Sequence, residues 1–272
     1  MLMSSLNLGA PVGSGITRIG PLGIHKLTRA QAVDMMRSAL LLRMKMDIGI
    51  CNANTVLQAM DNPAYARTLS RMTLFNDGIG VDIANRALTG SSFPANLNGT
   101  DLIPFILHTI GLPLRIYLLG AKPDPVARAA EHIEENYPGH HIAGYRDGYF
   151  GPDELDTVIA DINACKADLL LVAMGNPRQE QFIVDNRARL NPTICIGVGA
   201  LFDFLSGDVV RAPKFLQMAG LEWLFRLMQE PRRLGKRYTI GIYRFLAAVW
   251  RLRTEARRAA EREGRRRLPP IL

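Results

Sequence analysis

Short apolar runs alternate with stretches of helical spacing along most of the chain. Thr28-Arg29-Ala30-Gln31 has the form of a capping box, and Val33, Met36 and Leu40 then recur on one helical face. Residues 48–51 form a short apolar run. Asn62-Pro63 sets a capping side chain before a proline at a first helical position, which starts another helix. Residues 115–119 predict a strand ending at Gly120, and Asp124-Pro125 opens a helix that stops at Pro138-Gly139. Residues 168–174 are a continuous apolar run after one charge, as expected of a strand covered on both faces. Gly175 ends that run, a helix follows from about Arg178 to Arg189, and residues 193–198 repeat the buried-strand pattern. Strands alternating with helices at these intervals predict an α/β protein with a Rossmann-like parallel sheet.

In such sheets ligands bind beyond the carboxyl ends of the strands. The chemistry is therefore sought in residues 52–55, 76–80, 120–124, 175–180 and 199–203. Asp77 stands between a short apolar run and Gly78-Ile79-Gly80, where a carboxylate can take a proton from an attacking hydroxyl or ligate a metal. The same Asn-Asp-Gly is also ordinary turn chemistry. Asn176, Arg178 and Gln179 follow a buried strand and can hold sugar hydroxyls or phosphate oxygens, although a loop and helix cap with Glu180 in its first turn would look the same. Asn98-Gly99-Thr100-Asp101 fits a helix cap. The turn at Gly120 has neither the full dinucleotide glycine fingerprint nor the Walker spacing.

Charge divides the chain. Residues 208–272 hold 16 Lys+Arg against 6 Asp+Glu, while residues 1–207 hold 17 against 19, so the net +8 belongs to the last quarter. That quarter also carries Trp223, Phe225, Tyr238, Tyr243, Phe245 and Trp250. An amphipathic basic segment suits an anionic membrane surface, a solvated face or a nucleic-acid patch. Its most apolar stretch, 238–250, is too short to span a bilayer and contains Arg244. The first residues lack the basic, apolar and small-residue order of a secretory signal. Residues 1–16 and the arginine-rich end from about Thr254 are expected to be poorly ordered. Three cysteines without metal-ligand spacing predict free thiols, and the five histidines form no ligand set. No Asp-x-Asp pair is present to hold a divalent ion under a sugar-nucleotide diphosphate.

Taken in order, Asn52-Ala53-Asn54, Asp77 to Val81, Asn98 to Asp101, Gly148-Tyr149-Phe150 and Met174 to Glu180 resemble the WecG/TagA/CpsF glycosyltransferases, family 26. The resemblance continues through Gly197 to Ala200, Phe202-Asp203-Phe204, Arg211 to Lys214, Gly220 to Trp223, Arg226, Glu230-Pro231 and Arg233. It implies a GT-E-like glycosyltransferase fold, with a catalytic domain over 1–207 and a helical, basic membrane-docking appendage over 208–272. It also implies inverting, metal-independent transfer from a UDP-sugar, as substrate and without a cofactor, to a polyprenyl-diphosphate-linked saccharide. The work would be done peripherally, at the cytoplasmic face of the inner membrane, in exopolysaccharide or cell-surface glycan synthesis.

In that family's pattern Asp77 is the general base and Gln179 a second catalytic residue. Asn52, Asn54, Thr100, Asp101, Gly120, Asn176, Arg178 and Asp203 fall on the donor side. Arg226, Arg232 and Arg233 are the appendage residues matched to the diphosphate and acceptor, a use that suits guanidinium groups. Two departures stand out. Asn96 occupies a place where teichoic-acid members usually carry arginine, which opens the donor to sugars other than N-acetylmannosamine, and Asn52 stands where many members have threonine. The competing readings are a membrane scaffold that binds a sugar nucleotide without turnover and a nucleic-acid-binding tail. Self-association into a homo-oligomer through the apolar appendage is a further expectation.

Overall fold

The computed structural model describes residues 15–213, 215–216, 221–229, 231, 235 and 240–266, with side chains in the last helix described to residue 258. Its strands are β1 (Ile16–Ile19), β2 (Leu22–His25), β3 (Met46–Cys51), β4 (Thr73–Asn76), β5 (Arg115–Gly120), β6 (His141–Arg146), β7 (Leu169–Ala173) and β8 (Ile194–Gly197). They form one sheet in the order β1-β2-β4-β3-β8-β7-β5-β6. All neighbours are parallel except the edge pair β1 and β2. The α/β class and parallel core expected from the sequence are present.

Helices cover both faces. On one side lie α1 (Arg29–Leu41), α5 (Gly99–Thr109), α6 (Pro123–Asn136) and α9 (Leu201–Leu205). On the other lie α2 (Ala53–Asp61), α3 (Pro63–Leu69), α4 (Gly78–Thr89), α7 (Leu155–Ala164) and α8 (Arg178–Asn186). Strand side chains alternate between the two cores: Tyr117 and Leu119 join the α2 side, Ile116 and Leu118 the α1 side. Covering both faces is what makes β7 and β8 apolar at every position.

Local chemistry sets several helix starts. Thr28 and Gln31 form the expected capping box on α1, and the Asn62 side chain caps α3 ahead of Pro63. α6 starts one residue earlier than expected, at Pro123, and Asp124 lies in its first turn instead of capping it. α8 ends at Asn186, short of Arg189.

The appendage contributes α10 (Glu222–Gln229) and α11 (Ile240–Arg266). α11 corrects one expectation, because the chain beyond Thr254 stays helical to Arg266. Ile16 is likewise corrected, as it opens β1, while residues 1–14 lie outside the described residues. Phe245 and Val249, one helical turn apart, are buried in the core shared with α2 and α4, and Arg244 pairs with Asp61 of α2 at 2.8 Å. The other side of α11 exposes Tyr243, Leu246 and Trp250. No helix among the described residues is long and apolar enough to cross a membrane.

Candidate active site

The carboxyl ends of β4, β3, β8 and β7 lie side by side, and most of the expected residues follow them directly. After β3, Asn52 caps α2: its Oδ1 accepts from the backbone N of Asn54 (3.1 Å) and of Thr55 (3.2 Å). With Oδ1 committed to the helix, the amide Nδ2 points outward and donates to Asp77 Oδ2 at 3.4 Å. Asn54 is half-buried in the first turn of the same helix.

Asp77 follows β4, and its backbone N donates to Cys51 O at 2.8 Å. It holds the N-cap position of α4 yet makes no side-chain capping bond. That service comes from Asn96, whose Oδ1 accepts from Gly78 N at 3.0 Å. Gly78 has φ of 81°, a left-handed conformation that lets the backbone turn directly from strand into helix. The Asp77 carboxylate therefore stands at a helix N-terminus, where its charge is favoured, beside Asn52.

Asn98 caps α5: its Oδ1 accepts from Asp101 N at 2.8 Å, as the cap reading expects. Gly99 packs against Val198 at the end of β8, and Thr100 is half-buried beside it. Asp101 accepts from Asn98 Nδ2 (2.8 Å) and from the Arg211 guanidinium (2.6 Å). Burial opposes its charge, but these hydrogen bonds and the Arg211 and Arg29 guanidinium groups outweigh it and lower the Asp101 pKa.

Arg211 also approaches Glu222 of α10 at 3.9 Å. Burial raises the pKa of Glu222, the Arg211 and Arg226 charges oppose that rise, and the Asp101 and Asp77 charges add to it. α10 therefore brings charge into the surroundings of Asp77. Arg226 stacks over the Phe204 ring of α9 at 5.1 Å, next in sequence to the half-buried Asp203. The Nε atoms of Arg211 and Arg226 are buried and have no hydrogen-bond partner among the described residues. Arg232 and Arg233 lie outside the described residues.

The far half of the edge is packed more closely. Gly120 approaches β7 so nearly that a Cβ would collide with the Ala173 backbone, which gives the glycine a packing reason. Asn176-Pro177 is a cis peptide. Arg178 turns toward the loop after β6, donating to Phe150 O at 3.3 Å with its guanidinium 5.5 Å from the Phe150 ring. Gln179 is 1% exposed, and its Oε1 accepts from the backbone N of Gly175 and of Gly199, both at 3.2 Å.

Four residues at this edge carry weight that sequence reading did not give them. Glu180 lies in the first turn of α8 as expected, but it is fully buried and bonded to Tyr65, Asn176 and Gln179. Its spacing to the buried Ile183 and Val184 was the available signal, since i+3 and i+4 share a helix face. Arg211 and Glu222 lay in stretches that carry the family resemblance but were given no role, and Tyr65 had no comparable local pattern. Cys51 and Cys195 are buried free thiols and Cys165 a partly buried one. Among the described residues no three His, Cys, Asp or Glu side chains gather in a metal-binding group.

Residues 17–259 match the family described as Glycosyl transferase WecG/TagA/CpsF family. A curated relative from Bacillus spizizenii, N-acetylglucosaminyldiphosphoundecaprenol N-acetyl-beta-D-mannosaminyltransferase, is 35% identical over 195 residues, 71% of this chain and 74% of its own. A family match across nearly the whole sheet, edge residues and appendage included, is decisive: the chain belongs to the WecG/TagA/CpsF family of glycosyltransferases.

Proposed function

We propose that the protein is an inverting transferase that moves a sugar from a UDP-sugar to a polyprenyl-diphosphate-linked saccharide, with Asp77 as general base. The reaction balances simply. An acceptor hydroxyl oxygen bonds to the anomeric carbon, the carbon–oxygen bond to UDP breaks, its electron pair leaves on the diphosphate, and the hydroxyl proton passes to Asp77. The name of the Bacillus spizizenii relative, which specifies a lipid-diphosphate acceptor, supports the acceptor class. The observation that carries the reading is the position of Asp77, a carboxylate after a central strand whose capping duty is taken by Asn96.

Each neighbouring group has a part in this scheme. Asn52 Nδ2 holds the base, and Asn54, Thr100, Asp101 and Asp203 shape the donor side. The leaving diphosphate needs counter-charge, and guanidinium groups supply it as its negative charge develops. Arg226 is the described candidate, because its Nε is desolvated and unpartnered among the described residues while the Phe204 ring fixes its plane. Arg232 and Arg233 are proposed for the same work. The outward apolar side of α11, with the arginines that follow it, would rest on the anionic cytoplasmic membrane surface where such an acceptor is anchored.

The test is a panel of UDP-sugars offered with a polyprenyl-diphosphate-linked sugar to the full chain. Transfer with one donor, reduced ~10²–10⁴-fold in Asp77→Ala, is the expected outcome. Equal behaviour of Asp77→Ala and wild type would sink the assignment of the base, and no transfer from any donor would sink the reaction.

A further inference from the structure

The fully buried Glu180 carboxylate gathers donors from three elements. Its Oε1 accepts from Asn176 Nδ2 at 2.6 Å and from Gln179 Nε2 at 2.7 Å, and its Oε2 accepts from the Tyr65 hydroxyl at 3.0 Å. Tyr65 comes from α3, Asn176 from the turn after β7, and Gln179 from the start of α8. Gln179 extends the chain of contacts, accepting from Gly175 N and Gly199 N in the turns after β7 and β8. Gly197 leaves room for this arrangement, since a Cβ there would stand 2.8 Å from Gln179 Nε2.

A buried carboxylate is costly unless its oxygens are hydrogen-bonded, and here both are. The two amide N–H groups are obligatory donors, so the acceptor at the centre cannot be removed without leaving them unsatisfied.

We infer that Glu180 is a positioning residue: through Gln179 and Asn176 it locks the two turns after β7 and β8 into the shape that receives the sugar nucleotide. The inference rests on the proposed reaction and deepens it. Glu180 acts through other residues, with no proton or bond of the reaction assigned to it. Tyr65 fixes the carboxylate from behind, and Gln179, spent on the turns, becomes a link in the same device.

Burial pushes the Glu180 pKa up, and the bonds from Gln179 and Tyr65 hold it back. A carboxyl raised above its unfolded value contributes stability that is present at acid pH and lost as pH rises through the folded value. Holding the anion therefore works against stability at neutral pH, as expected of a group kept for geometry.

Three full-length variants separate the possibilities. Glu180→Gln keeps shape and one carbonyl oxygen, which can serve both amide donors while its NH₂ faces the Tyr65 oxygen. It should melt no lower than wild type at neutral pH and keep its donor KM and UDP affinity within about threefold. Glu180→Leu removes the acceptor, and UDP affinity and kcat/KM for the donor should fall ~10–100-fold with acceptor KM unchanged. Tyr65→Phe, the mildest change, should move the same two quantities in the same direction by a smaller factor, and it carries the test if Glu180→Leu does not fold.

Donor affinity unchanged in Glu180→Leu or Tyr65→Phe would overturn the inference. So would a Glu180→Gln variant as defective as Glu180→Leu, or one that lost a limb of the pH–rate profile, because either assigns Glu180 a chemical role. Wild-type protein that binds UDP and moves no sugar would fail the proposed reaction alone, leaving the UDP-affinity comparison to judge Glu180.

Discussion

The two halves of the sheet's carboxyl edge use the same residue types in opposite ways. Around β3 and β4, Asn52 and Asp77 are half-buried, and the bond from Asn52 Nδ2 to Asp77 Oδ2 is long, at 3.4 Å. Around β7 and β8, Gln179 and Glu180 are buried and joined by bonds of 2.6–3.2 Å to their neighbours. Cys51 lies between them: burial drives its pKa up, and the Asp77 and Glu180 charges push it further, so the thiol stays protonated. The half-buried amide–carboxylate pair at the α4 N-terminus is the one proposed to meet a reacting hydroxyl. The same pair with every oxygen occupied in a closed core builds shape.

That contrast is first broken at α11, which packs on α2 and α4 in the β3 and β4 half, with the Phe245 ring beside Gly80, three residues from Asp77. Phe245→Ala empties a site only 3% exposed and should cost ~3 kcal/mol of α11 docking. Hydrogen exchange should accelerate in α2 and α4 while the Tyr65 to Glu180 cluster keeps its protection. Equal acceleration in both halves would mean that the edge is one cooperative unit.

How much of this was legible depended on whether a signal was local. Strands β5, β7 and β8 were visible because both faces are covered and the runs are unbroken. Ile16–Ile19 and Leu22–His25 were not, since polar residues or glycine interrupt each short run and leave no continuous apolar stretch. Asp77 and Asn52 could be placed because each follows a strand directly. Arg211 and Glu222 could not be given a role, because what gives them meaning is Asp101 and Asp77, which are distant in sequence and near only in the fold. Glu180 was placed in a first turn correctly but its burial was not read, because the first turn of a helix favours acid whether it faces water or core, and only tertiary packing decides which.

The second break is at Gly197. Its replacement by alanine sets a methyl 2.8 Å from Gln179 Nε2, a side chain already pinned at both ends. Overpacking of this kind should cost ~1–3 kcal/mol, measured by chemical denaturation. The Asn52 to Asp77 pair should be untouched, so donor binding should weaken more than the pH dependence of transfer changes. A Gly197→Ala protein with wild-type stability and donor KM would mean that the Gln179 clamp is soft, and the contrast between the halves would narrow.

The smallest effect expected is electrostatic and concerns how α10 is held. Asp101 has a lowered pKa, so its contribution to stability is present above the ordinary aspartate range and is lost as pH falls through the folded value. Arg211 supplies one of the hydrogen bonds and the first of the opposing charges, at a carboxylate 26% exposed. Arg211→Gln should therefore leave stability within about 1 kcal/mol at neutral pH and shift the acid-unfolding limb to higher pH. Because Arg211 also faces Glu222, the same variant should loosen α10, raising the proteolytic sensitivity of the segment around Arg226 before that of the sheet. An acid limb that does not move would show that Asn98 and Arg29 suffice to hold the Asp101 charge. The link between α10 and the Asp77 half would then rest on Arg226 and Phe204.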